Sequence, residues 1–223
     1  MTNNNFNDAL LLKPFSLTYV VYNKHDKYIG FIMSLFTLLP VFLVVMYVTL
    51  IISKRNLHTI YVFLFQLINE GLNFILKNTF KQQRPDSSTK TDDYGFPSNH
   101  SQFVTFFAIY WSFYFIFRKN AQFTNKLYTI FMVLFISIGC GTTCYSRVYL
   151  GYHTAIQIYG GIFFGFIFST ITFMFYNTSK PFLYWIEDSI IGKYFYLRNT
   201  EHIGNILKYQ YDVEKRGKGK KQE

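Results

Sequence analysis

The run YIGFIMSLFTLLPVFLVVMYVTLIIS, Tyr28 to Ser53, contains no charged residue. A helix crosses the roughly 30 Å hydrocarbon core of a bilayer in about 20 residues, and this run exceeds that. It is too long for the core of a signal peptide, and no small-residue cleavage site follows it. It therefore reads as a permanent span. Lipid offers no hydrogen bonds to exposed backbone, so a chain that crosses in this way does so as helices.

Working outward, four further segments have the same character. Leu57 to Leu76 is apolar but carries Gln66, Asn69, Glu70 and Asn73. Phe103 to Phe117 is short and strongly aromatic, and its helix is expected to begin a turn earlier, near His100. Leu127 to Cys144 and Ile156 to Tyr176 complete the set. Gly161 and Gly165 in the last have the small-xxx-small spacing that lets helices approach closely, here read as packing. Pro181 to Ile191, with Glu187 and Asp188, looks interfacial rather than spanning, as does Ala9 to Val21. The expected fold is thus all-α: a polytopic membrane bundle of about five transmembrane helices, one domain over residues 1–208. Residues 209–223 are charged and glycine-containing and read as a flexible tail.

Half of the 223 residues are hydrophobic, 22% are aromatic and only 15% are charged, while mean hydropathy is just +0.13. The polar residues must therefore be segregated, and the loops show where. Five spans place residues 1–27, the loop from Lys77 to Asn99 and the loop around Arg147 on one side. Lys54, Arg55, Arg118, Lys119, Lys126 and the tail lie on the other, which holds the larger share of the 22 Lys and Arg. The positive-inside rule makes that second side cytoplasmic. The net charge of +10 is then mostly topology and tail. No folded basic surface with groove-reading elements suggests nucleic acid as a partner.

The non-cytoplasmic side gathers an unusual set of groups. KNTFKQQRP, Lys77 to Pro85, places Lys77 and Arg84 seven residues apart; if the helix continues to Arg84, they share a face, with Pro85 ending it. FPSNHS, Phe96 to Ser101, suits a helix start, whose free N–H groups favour anions. SRVYLGYHTAIQ, Ser146 to Gln157, adds Arg147 and His153. Three cations, two histidines and a helix N-terminus suit phosphate chemistry. Guanidinium and ammonium groups clamp phosphoryl oxygens, one histidine can attack phosphorus, and another can protonate the leaving oxygen. Asp86, Asp92 and Asp93 read as solvated loop charges, so no metal and no cofactor is expected. Side chains supply the cations instead.

Lys77-x6-Arg84-Pro85, Pro97-Ser98-Asn99-His100 and Ser146-Arg147-x5-His153 together resemble the three-part signature of the type 2 phosphatidic acid phosphatase superfamily. LHTI at Leu57, NEGLNFILKN from Asn69, PSNHSQF from Pro97 and YSRVYLGYHT from Tyr145 are more similar to its dolichyldiphosphatase branch. The likeness covers roughly Leu57 to Gly161, with a looser match in the tail. It implies hydrolysis of a polyisoprenoid diphosphate, dolichyl diphosphate, at the lumenal face of the endoplasmic reticulum. That would recycle the carrier used in protein glycosylation. It further implies His153 as nucleophile and His100 as general acid. Lys77, Arg84 and Arg147 would hold phosphate oxygens, with Ser98 and the Asn99 N–H adding hydrogen bonds.

Two positions depart from the superfamily pattern. Asn99 stands where glycine is usual. Gln157 stands where aspartate usually orients the nucleophile, and as i,i+4 to His153 it can still orient the ring but adds no negative charge. A diphosphate has a good leaving group, so less basic help suffices. On this reading Gln157→Asp leaves a working enzyme.

Glu70, inside a span, reads either as a substrate or positioning residue or as part of a polar stripe with Lys77. Cys140 and Cys144 are i,i+4, a poor geometry for a disulfide. The NHS sequon at Asn99 sits in the proposed site and is expected to be unused. Lys220 and Lys221, third and fourth from the end, resemble a dilysine retrieval signal read by coat machinery. Two other readings stay open: phosphatidate or a sphingoid-base phosphate as substrate, or a transporter or scaffold without catalysis.

Overall fold

In the computed structural model the described residues are 20, 27–85, 94–117, 126–200, 203 and 206–219. Their regular structure is helical apart from one isolated bridge, Asn56 to Arg198. The uncharged opening run forms two helices, α1 (Lys27–Thr37) and α2 (Leu39–Lys54). The break falls at Leu38, just ahead of Pro40, because proline cannot donate into a preceding turn but fits the first turn of a new one. α3 is Leu57–Phe80, α4 Asn99–Phe117, α5 Lys126–Tyr149 and α6 Ala155–Asp188. Two short helices follow, α7 (Ile190–Phe195) and α8 (Ile206–Gly219). Among the described residues, four helical stretches are long and apolar enough to cross a membrane by length and composition: Tyr28–Lys54, Leu57–Phe80, Lys126–Tyr149 and Ala155–Asp188.

α4 lies at the centre of the bundle. It packs most extensively on α6, then on α5, with α3 on a further side; α1 lies against α5. This position explains its composition. Ser101, Gln102, Thr105 and Ser112 of α4 are buried together with Phe103, Val104, Phe106 and Tyr110. Around it the usual distribution is turned inside out. Gln66, Asn69, Asn73, Gln157 and Thr172 are fully or almost fully buried, while Phe74, Phe135, Ile138, Ile156 and Met174 are exposed on the outer surface. Apolar side chains outside and polar ones turned to the interior fit a bundle surrounded by lipid.

The α4–α6 contact depends on the two glycines singled out by their spacing. A Cβ on Gly161 would meet the Ser98 carbonyl oxygen at 2.6 Å, and one on Gly165 the Gln102 carbonyl oxygen at 2.6 Å. At the other end of the bundle, His58 lies in an aromatic box. It shares a 3.0 Å hydrogen bond with Tyr110 Oη and stacks on Tyr114 at 4.5 Å. The chain after α7 returns to this end: Arg198 N–H donates to Arg55 O, and Asn56 Nδ2 to Thr200 Oγ1 at 2.6 Å.

Three expectations need correction. The helix carrying Lys77 stops at Phe80, and Lys81 takes the left-handed conformation (φ 50°), so Arg84 reaches the site on a non-helical segment rather than on Lys77's helical face. The segment from Pro181 continues α6 without interruption to Asp188. At about 1.5 Å per residue, this 34-residue helix is longer than the bilayer core is thick. The tail is helical through Gly219, as its Leu, Lys, Gln, Glu and Arg content favours. The segment from Ala9 to Val21, apart from Val20, lies outside the described residues, as do Asp86, Asp92, Asp93, Arg118, Lys119, Lys220 and Lys221.

Candidate active site

Four helix ends meet at one end of the bundle: the C-terminal ends of α3 and α5 and the N-terminal ends of α4 and α6. The link from α5 to α6 is short and tightly wound. Gly151 adopts φ 75°, a backbone region that suits glycine, and its N–H reaches Val148 O. The chain then folds back, so that the N–H groups of Tyr152 and His153 both donate to the Arg147 carbonyl, at 3.1 and 3.2 Å. This explains the five-residue interval between Arg147 and His153. The Tyr152 ring lies 4.1 Å from the Arg147 guanidinium carbon and supports it from one face. Arg147 and His153 are both buried, and Arg147 Nε has no partner among the described residues.

α6 begins with a capping box. The Gln157 N–H donates to Thr154 Oγ1 at 3.4 Å, and Thr154 N–H donates to Gln157 Oε1 at 3.3 Å. The same Oε1 lies 3.0 Å from His153 Nδ1, and Nε2 donates to the Gln83 carbonyl at 2.9 Å. Ser98 N–H donates to the Gln157 main-chain carbonyl at 2.9 Å. Gln157 is fully buried and touches all three motif segments.

α4 is held from below by amides of α3. Asn73 Nδ2 donates to Gln102 Oε1 at 2.7 Å and to Pro97 O at 3.3 Å, and Gln102 Nε2 donates to Asn69 Oδ1 at 2.9 Å. These bonds fix the first turn of α4, where Ser98, Asn99 and His100 sit. Glu70 hydrogen-bonds the Asn99 side chain and lies in the field of Lys77. Glu70 Oε1 and Asn99 Oδ1 are buried with no further partner among the described residues.

His100 lies within electrostatic reach of His153, Arg147, Arg84 and Lys77, and Arg84 and Arg147 feel one another. The sequence-derived set of Lys77, Arg84, Ser98, Asn99, His100, Arg147, His153 and Gln157 is therefore brought to one place, with Glu70 beside it. Burial, followed by the Arg147 and Arg84 charges and then Lys77, holds His153 well below the usual imidazole range; the Gln157 hydrogen bond opposes this. His153 is thus neutral at physiological pH. The acceptor Oε1 on Nδ1 leaves its Nε2 with a lone pair. Among the described residues no three of His, Cys, Asp and Glu gather as a metal would require. Cys140 and Cys144 are both free thiols.

The sequence reading missed three groups: the Gln83 carbonyl, Gly95 and Tyr152. Thr154-x-x-Gln157 has the form of a capping box and could have placed the α6 start. A main-chain carbonyl leaves no signature of its own.

Residues 57–181 match the model of the PAP2 superfamily. Dolichyldiphosphatase 1 of Dictyostelium discoideum is 36% identical over 207 residues, covering 88% of this chain and 89% of the relative. Dolichyldiphosphatase 1 of Homo sapiens is 37% identical over 211 residues, 90% of this chain and 87% of the relative. Lipid phosphate phosphatase gamma of Arabidopsis thaliana is 34% identical over 206 residues, 90% of each. No solved structure matches.

Proposed function

The chain belongs to the PAP2 superfamily, and from that premise we propose that it is a membrane-embedded dolichyldiphosphatase. It releases inorganic phosphate from dolichyl diphosphate and leaves dolichyl phosphate. His153 Nε2 attacks the terminal phosphorus as the bond from that phosphorus to the bridging oxygen breaks. Lys77, Arg84 and Arg147 hold the equatorial oxygens, with Ser98 and the Asn99 N–H adding donors, and so offset the charge that spreads there. His100 gives its proton to the departing dolichyl phosphate oxygen. It then takes a proton from the water that breaks the phosphorus–nitrogen bond. Side chains supply the cations, so hydrolysis persists in excess EDTA.

The observation that carries this reading is a buried, neutral His153 with Nε2 left open, set among three cations and a second histidine. The Dolichyldiphosphatase 1 relatives support the substrate. The same end of the bundle lies opposite Lys54, Arg55 and the basic α8, which supports a lumenal site in the endoplasmic reticulum by the positive-inside rule. There it would regenerate the lipid carrier for protein glycosylation.

The test is phosphate release by purified protein from dolichyl diphosphate, dolichyl monophosphate and phosphatidate in matched micelles. A clear preference for the diphosphate, lost in His153→Ala, is expected. Preference for phosphatidate would instead place the chain with general lipid phosphate phosphatases. Absence of release from all three would remove the enzymatic reading.

A further inference from the structure

We infer that Glu70 is a positioning residue: its carboxyl group holds the Asn99 side chain against α3 and so keeps the first turn of α4 open to a phosphoryl group. This rests on the reading of that turn as part of the phosphate site.

Glu70 is the ionisable residue inside α3 that the mechanism above does not use. Asn69 and Asn73, on either side of it, tie α3 to the start of α4 through Gln102 and the Pro97 carbonyl, at 2.7 to 3.3 Å. Glu70 is therefore presented to Asn99 at a fixed place, and the two side chains hydrogen-bond. Asn99 Oδ1 has no partner among the described residues, so the bond runs from Asn99 Nδ2 to the Glu70 carboxyl group.

An asparagine at a helix start ordinarily makes a different bond. Its carbonyl accepts from the N–H two residues on, here that of Ser101. Asn99 Oδ1 is buried and makes no such bond, and Glu70 Oε1 is likewise buried and unmet. Two unmet buried acceptors are costly and call for a compensating reason. The main chain supplies one. The Gln102 N–H donates to Ser98 O, which leaves the N–H groups ahead of it for a ligand. An Asn99 carbonyl turned onto those groups would occupy the donors and set a partial negative charge against phosphate. With Nδ2 engaged by Glu70, the side chain stays on the α3 side and the Asn99 N–H stays open to substrate. Position 99 thus carries a side chain, where the superfamily usually has glycine, without closing the anion site. In this role Glu70 touches no reacting atom, and its hydrogen bond matters more than its charge.

The experiment measures competitive inhibition of dolichyl diphosphate hydrolysis by inorganic phosphate, together with kcat and KM. Glutamine at position 70 still accepts from Asn99 Nδ2, whereas methionine fills the space without a strong acceptor. Glu70→Met is expected to weaken phosphate binding about 10- to 100-fold, the worth of one hydrogen bond to a charged group, and to raise KM more than it lowers kcat. Glu70→Gln should stay within about fivefold of wild type, since the acceptor loses only its charge. In an Asn99→Gly background there is no side chain to hold, so adding Glu70→Met should change the phosphate constant by less than about twofold. A near-isosteric cycle reads the same contact. Asn99→Asp sets two carboxyl groups against each other, and adding Glu70→Gln restores one amide–carboxyl bond with its ends exchanged. Glu70→Gln should therefore improve phosphate binding about tenfold more in that background than in wild type. A Glu70→Gln loss as large as that of Glu70→Met, an undiminished Glu70→Met loss in the Asn99→Gly background, or equal effects of Glu70→Gln in both arms of the cycle would overturn the assignment. Wild type that hydrolyses no lipid phosphate would overturn the underlying reading instead, so the two failures are distinguishable.

Discussion

Replacing Gly161 by alanine adds one methyl group at the closest point between α4 and α6. The new carbon would sit 2.6 Å from the Ser98 carbonyl oxygen, 2.9 Å from Ser101 Cβ and 3.0 Å from Gln102 N. Ordinary van der Waals contact begins at 3.4 Å, so one helix must shift by about 0.8 Å against that oxygen, a clash with backbone that no rotamer relieves. Overpacking of this kind costs about 1–3 kcal/mol in stability. The displacement also falls on the site, because Ser98 precedes Asn99 and His100 and its N–H is held by Gln157. A misplacement near 1 Å can cost roughly 10²-fold in rate. Gly161→Ala should therefore lose activity on that order, measured as kcat in detergent, along with a lowered thermal midpoint. Gly165→Ala meets the Gln102 carbonyl at the same 2.6 Å one turn farther from the site; it should show a similar stability loss and a smaller rate loss. Gly71→Ala and Gly141→Ala, with nothing within 4 Å of the new carbon, should be neutral or stabilising by up to about 1 kcal/mol through helix propensity. Wild-type activity and stability in Gly161→Ala would refute the close-contact reasoning.

Tyr152→Leu removes the ring 4.1 Å from the Arg147 guanidinium. A desolvated cation–π contact is worth about 2 kcal/mol, roughly 30-fold. The loss should appear in kcat/KM and be largely restored by Tyr152→Phe; equal losses in both variants would point to the hydroxyl. The acid limb of kcat/KM, which reports free enzyme, should lie below the ordinary imidazole range, because His153 is held neutral by burial and by Arg147 and Arg84. The attacking form is the deprotonated one, so activity is lost only as pH falls through that depressed value. Arg147→Ala should move the limb toward neutral pH, and an unmoved limb would count against the assignment. A glycosylation sequon placed between Ser87 and Asp93 should be modified and one placed after Lys208 should not; the reverse pattern would put the site in the cytoplasm.

The helical spans and the gathering of the three motif segments at one end of the bundle were legible because each rests on local chemistry: uncharged length, and cations and histidines placed at span ends. What was not legible rests on main-chain geometry. Lys77 and Arg84 have helical spacing, yet Lys81 turns left-handed and ends α3 at Phe80. Arg84 is instead carried in by a segment tied down through Gly95 N–H to Gln82 O and Gln157 Nε2 to Gln83 O. The polar residues of α3 could be read as an interior stripe, but only the structure separates their tasks. Asn69 and Asn73 secure Gln102, while Glu70 turns to Asn99. The break at Leu38 was marked by Pro40, though hydropathy alone runs through it.

The central claim is that His153 carries phosphate during turnover. Enzyme mixed with terminally labelled dolichyl diphosphate, quenched within a turnover and digested under alkaline conditions, measures it directly. Acid-labile, base-stable label is expected on the peptide containing His153, absent in His153→Ala and retained in His100→Ala. Rapid turnover with no label on histidine, or label unchanged in His153→Ala, would contradict it.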